Sequence, residues 1–241
     1  MDLTTYILIG IVIFTASFVQ GFGGFGFALV SIPLLSLIVD IKYAIPLGAL
    51  CGLFINFLLL FELKSHIRFF ELKRLVISAV IGIPIGVVLL SQAPASILKS
   101  ILAVFVILFV ILSFTKILPQ KSLNKNWGYL FGLLSGLFGG AFNTNGPPVL
   151  VYFYLQGWDK NKQKASLTGF FTFTSVTIVL SHIAFGISTI QIAIDFLYMI
   201  PSILAGNYIG THLFKKISTK NYNRLILISL LILSFLLLFR T

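Results

Sequence analysis

Ser135-Gly-Leu-Phe-Gly-Gly-Ala-Phe-Asn-Thr-Asn-Gly-Pro-Pro148 interrupts an otherwise apolar run, and Gln20-Gly-Phe-Gly-Gly-Phe-Gly-Phe27 interrupts another near the start of the chain. Irregular backbone at membrane depth is tolerated only inside protein or beside a watery cavity. The surrounding sequence says that membrane depth is the right frame. Of 241 residues, 58% are hydrophobic and 10% are charged, against about 25% charged in a soluble domain. The apolar residues fall in runs and not in amphipathic stripes. Such runs fit an all-α polytopic membrane protein, since roughly 17–25 apolar residues make a spanning helix.

Eight hydrophobic stretches fall in two sets of four: 3–39, 43–61, 75–90 and 97–118, then 127–157, 165–185, 193–213 and 223–239. The first stretch of each set is the longest and carries the glycine-rich break. An offset of 115 residues puts Gly21 on Gly136, Gly24 on Gly139 and Pro33 on Pro148. An offset of 124 puts Gly82 and Gly86 on Gly206 and Gly210. Residues 1–118 and 119–241 therefore read as two repeats within one membrane domain. Each has a glycine-broken hairpin or pair of short helices plus three spanning helices, eight to ten membrane segments in all.

Charge sets the expected orientation. If each broken stretch returns to its starting side, each half adds three crossings and the halves are inverted. The loops 62–74, 116–126, 157–164 and 214–224 then share one side and carry 14 of the 17 Lys and Arg residues. Basic residues mark cytoplasmic loops, so both termini are expected outside. This loop charge also accounts for the net charge of +11 without nucleic acid. Asp2, with no Lys or Arg before Lys42, argues against a cleavable leader. Cys51, the single cysteine, excludes an intramolecular disulfide.

Matching breaks in inverted halves point to a transport site near the midplane. A helix that starts inside the membrane presents free amides and the positive end of its dipole, which favour an anion. The candidate binding residues are Gln20, Gly21, Gly23 and Gly24 in the first break. In the other break they are Asn143, Thr144, Asn145, Gly146 and Pro147. This later break is the better suited of the two, with Pro147 and Pro148 fitting a first helical turn and Thr144 or Asn145 as its cap. The plainer reading of the glycines is close helix packing.

Thr168, Thr172, Ser175 and His182 lie on one helical face. Thr172 is a candidate lining residue and His182 a candidate proton-linked group. The plainer reading has the hydroxyls bonded back to their own helix and His182 at the membrane interface. Asp2, Asp40, Glu62, Glu71, Asp159 and Asp195 all read as loop or span-end residues. With no buried carboxylate, a cation pump is disfavoured. The chain shows no metal-ligand cluster, nucleophile elbow or phosphate-binding loop, so neither an enzyme nor a metal or cofactor site is expected.

The two breaks with Pro33, the Gly82-x-Pro-x-Gly86 pattern and its repetition resemble the TauE/SafE sulfite-exporter family, also called the TSUP transporters. The resemblance covers almost the whole chain. It implies a secondary transporter of small sulfur-containing or organic anions, such as sulfite or organosulfonates like sulfoacetate, in the bacterial cell membrane. Export by alternating access between the breaks is the expectation, with coupling to a proton or sodium gradient and a homodimer both open. The alternatives are a passive anion or small-solute channel and a non-transporting assembly subunit. The expected partners are a small anion and membrane lipid.

Overall fold

The computed structural model describes residues 1–63, 69–115, 124–156 and 160–214. The last apolar stretch, 223–239, lies outside the described residues, as do most of the basic loops. The described residues form nine helices: α1 (Leu3–Gly23), α2 (Phe27–Leu35), α3 (Ile41–Leu63), α4 (Phe69–Gln92), α5 (Ala95–Thr115), α6 (Trp127–Phe142), α7 (Gly146–Leu155), α8 (Lys160–Ala184) and α9 (Ile190–Phe214). Five of them, α1, α3, α4, α8 and α9, contain segments long and apolar enough to cross a membrane. Their outer faces suit lipid. Ile77, Ile81 and Ile85 on α4 are 43%, 60% and 53% exposed, an apolar stripe at one-turn spacing. The protein is an all-helical, multi-pass membrane protein.

Both long stretches break as the glycines suggested, and by the same device. α1 stops at Gly23, where Gly24 turns left-handed at φ +75° and its N–H bonds Gln20 O at 2.7 Å. α6 stops at Phe142, where Asn143 does the same at φ +55° with its N–H on Gly139 O at 2.8 Å. Glycine and asparagine are the residues that take this C-terminal turn at least cost. Three residues later a new helix begins in each case. α2 has nine residues and α7 has ten, about half the ~20 needed to span. The second helix of each break is thus too short to cross a membrane by itself.

The breaks sit 119 residues apart, not 115. Gly24 corresponds to Asn143, and α3 likewise starts 119 residues before α8. The offset of 115 aligned glycines one helical turn out of place. The offset of 124 fits the packing of α4 and α9. The most extensive helix pairings are α4 along α6 and α1 along α9. Gly82 lies against Leu133 and Leu137 of α6, and Gly86 against Leu137 and Ala141. Gly206 lies against Phe14 and Phe18 of α1, and Gly210 against Phe18 and Phe22. These partners are again 119 residues apart. A Cβ on Gly86 would stand 2.8 Å from Ala141 N, so the helices touch backbone to backbone there.

Tertiary contacts orient the helices. Tyr6 and Tyr43, near the starts of α1 and α3, both bond Asp195 near the start of α9. Lys162 near the start of α8 pairs with Glu71 near the start of α4. α4 and α6 run in parallel, as do α1 and α9. Accordingly α3, α5 and α9 end where α4, α6 and α8 begin. The connections expected to be basic all leave from one end of the bundle.

Asp195 is at a span end as expected, but it corrects the expectation that no carboxylate is buried. α9 starts at Ile190, so Asp195 lies inside a spanning helix and is 1% exposed. It accepts hydrogen bonds from Tyr6 Oη and Tyr43 Oη, each at 2.5 Å, and from Gln191 Nε2 at 3.0 Å. Three donors meet the cost of holding a carboxylate away from water.

Candidate functional site

The two breaks face each other across a small cavity of about 40 Å³. The first break contributes Gln20 and the run Phe25–Leu29, and the second contributes Asn143–Gly146. Gly52 and Asn56 of α3 and Phe171 and Ser175 of α8 complete the lining. No charged side chain is among these residues. One water needs roughly 10–15 Å³ in a comparable measure, so there is room for a species of a few atoms.

Gln20 organises the first break. Its Oε1 accepts the Phe27 N–H at 2.9 Å, and its Nε2 donates to Asn56 Oδ1 at 2.9 Å. The side chain thereby satisfies the first amide of α2 and ties the break to α3. The Val30 N–H bonds Gly26 O at 3.1 Å. Between them, the amides of Ala28 and Leu29 have no carbonyl upstream in the helix, and both residues line the cavity.

The second break is built differently. Asn145 Nδ2 donates to Thr174 Oγ1 at 2.6 Å, and Ser135 Oγ donates to Asn145 O. These bonds pin the break between α6 and α8. Asn145 thus commits one of its two amide hydrogens to α8, and the Thr144 hydroxyl, 1% exposed, has no hydrogen-bond partner. The expected side-chain cap from Thr144 is absent. Pro147 and Pro148 do occupy the first turn of α7. They carry no N–H, so this turn keeps only the Gly146 and Val149 amides. The second break therefore offers fewer backbone amides than α2 and more polar side chains.

Of the residues singled out in the sequence, Gln20, Asn143, Thr144, Asn145 and Gly146 meet at the cavity. Gly21 does not. It faces α9, where an added Cβ would lie 2.6 Å from Asn207 O, and so it serves helix packing. Gly23, Gly24 and Pro147 shape the breaks without lining the cavity. Thr172 is buried, but its Oγ1 bonds back to Thr168 O at 2.8 Å. His182, near the end of α8, is fully buried within the protein, with its ring Nε2 3.2 Å from Gly140 O. A carbonyl only accepts, so Nε2 carries the proton there. The ring thus satisfies an orphan carbonyl of the last turn of α6. Its Nδ1 is buried without a partner.

Asn56, Gly52 and Phe171 were missed, and Ser175 was read only as part of a polar helical face. Asn56 had a readable signal, being a lone amide within the apolar stretch 43–61. Gly52 and Phe171 resemble ordinary span residues until the helices are assembled. Phe25, Phe27 and Phe171 put aromatic surface around the polar groups, and ring edges carry partial positive charge.

Comparison with curated proteins and with solved structures finds no match. The model of the family described as sulfite exporter TauE/SafE, a family of membrane transporters, matches residues 9–237. That match spans both breaks and every residue of the cavity, and the chain belongs to the TauE/SafE sulfite exporter family.

Proposed function

We propose that this protein is a secondary transporter that exports small sulfur-containing or organic anions across the bacterial cell membrane. Sulfite and organosulfonates such as sulfoacetate are the candidate substrates. The ligand sits between the two breaks and is exposed alternately to either side. The supporting observation is the cavity itself, where unspent donors converge without a fixed charge. The Thr144 hydroxyl and the Ala28 and Leu29 amides point to a ligand rich in acceptors. Neutral donors hold an oxyanion without trapping it, as a carrier requires. A cavity of about 40 Å³ accommodates an ion of sulfite size more readily than a longer sulfonate.

The offsets of 119 and 124 residues support reading 1–118 and 119–241 as inverted repeats. The common end of the basic connections supports placing it in the cytoplasm, with both termini outside. A proton or sodium gradient would drive export, and a homodimer is the candidate assembly.

Flux of radiolabelled sulfite and sulfoacetate into proteoliposomes tests the proposal. Saturable, counter-gradient-sensitive uptake is expected, and imposed proton or sodium gradients identify the coupling ion. If no small anion in a broad panel moves or stabilises the purified protein, the proposal fails. Asn145→Leu removes the bond to Thr174 and is expected to abolish flux while preserving expression. Normal flux in that variant would take the second break out of the site.

A further inference from the structure

Two carboxylates outside the cavity sit at corresponding positions of the two halves. Asp195 follows Glu71 by 124 residues, the offset relating α9 to α4. Each holds the start of its helix to the start of another. Glu71 Oε2 on α4 lies 2.5 Å from Lys162 Nζ on α8. Asp195 Oδ2 on α9 accepts from Tyr43 Oη on α3 at 2.5 Å. Lys162 follows Tyr43 by 119 residues, the offset relating α8 to α3. The same clasp thus occurs twice, once as an ion pair and once as a carboxylate–phenol bond.

The two clasps lie at opposite ends of the bundle. Tyr43 is in the first turn of α3, and α3 runs 23 residues, a rise of about 35 Å. Five residues later α4 begins, with Glu71 in its first turn. The cavity lies between, lined by Gly52 and Asn56 from the middle of α3.

We propose that these clasps are the two gate latches of the transport cycle, each holding one face shut and released in turn. This rests on the alternating-access reading, and the chemistry sets their strengths apart. The Glu71 and Lys162 side chains are 29–30% exposed, where an ion pair contributes little. Asp195 is 1% exposed with three donors, so its latch is the tighter one.

The test reads access to the cavity from each face. A reporter is placed by Ala28→Cys in a Cys51→Ala background and labelled with a membrane-impermeant maleimide in whole cells and in inside-out vesicles. Glu71→Gln is expected to speed labelling from one face about two- to fivefold. Asp195→Asn, or Tyr43→Phe as a milder variant, is expected to speed it from the other face about tenfold. The swap Glu71→Lys with Lys162→Glu is expected to restore slow labelling. Acceleration from the same face by both, or no change in variants that purify as monodisperse protein, overturns the inference. Side-selective labelling in a protein that moves no anion leaves the latches standing and sinks the transport reading instead. Normal anion flux with labelling that is not side-selective sinks the latches alone.

Discussion

Gly21→Ala separates a packing glycine from a binding glycine. An alanine Cβ at this position would stand 2.6 Å from Asn207 O, 2.7 Å from Asn207 Oδ1 and 3.1 Å from Asn207 Cα. Ordinary contact begins near 3.4 Å, so α1 and α9 must part by about 0.8 Å, or Asn207 must be displaced. Overpacking of this kind costs about 1–3 kcal/mol. The gain in helix propensity returns about 0.5–1 kcal/mol. A net loss of ~1–2 kcal/mol corresponds to a melting temperature lower by about 2–8 °C for a chain of this size. Gly10→Ala is the internal control. It lies on the same helix against α9, but its Cβ would meet only Ser202 Oγ, at 3.3 Å. That side chain can rotate away, so this variant should melt at or above the wild-type temperature. The measurement is thermal unfolding of the detergent-solubilised protein, followed by size-exclusion chromatography. The reasoning is refuted if Gly21→Ala melts like wild type. Flux lost at wild-type stability would mean that Gly21 touches the ligand after all.

Two other variants probe the cavity and its surroundings. Gln20→Glu keeps an acceptor for the Phe27 N–H but replaces the donor to Asn56 with negative charge beside the proposed anion. It should purify intact and lose nearly all flux, and wild-type flux would place the anion elsewhere. His182→Gln retains an N–H able to reach Gly140 O but cannot titrate. If His182 couples transport to protons, this variant loses the dependence of flux on pH. An unchanged flux–pH profile would leave the ring as a structural tie to the end of α6.

Much of this architecture can be read from residue type, because a break inside a membrane helix has few chemical solutions. Gly24 and Asn143 both turn the chain left-handed, and glycine, asparagine and proline announce such places. Their correspondence is hidden because one is glycine and the other asparagine. Matching identical residues therefore settles one turn away. The site was half legible for a related reason. Gln20 and Asn143–Gly146 stand out as polar residues in apolar surroundings. Ser175 and Phe171 acquire their role only when α8 is packed beside the breaks. Asp195 does lie at a span end, in the second turn of α9, but its burial could not be read, because the tyrosines that cover it belong to α1 and α3. Three hydroxyl and amide donors make that burial tolerable, and two of them come from residues more than a hundred positions away.

The crossed pairing of the long helices has a consequence for biogenesis. α6 follows α4 closely along the chain, so their glycine-lined contact can form soon after both are made. α1 has no such neighbour in sequence. Its matched surface belongs to α9, which begins at Ile190 and, at typical synthesis rates, emerges about 10–40 s after α1. Until then Gly10, Ser17 and Gly21 face lipid or a surrogate. The amino-terminal half released alone would lack the partner its first helix is shaped to meet, and quality-control proteases should remove it. Supplying the carboxy-terminal half as a separate chain in the same cell should rescue it.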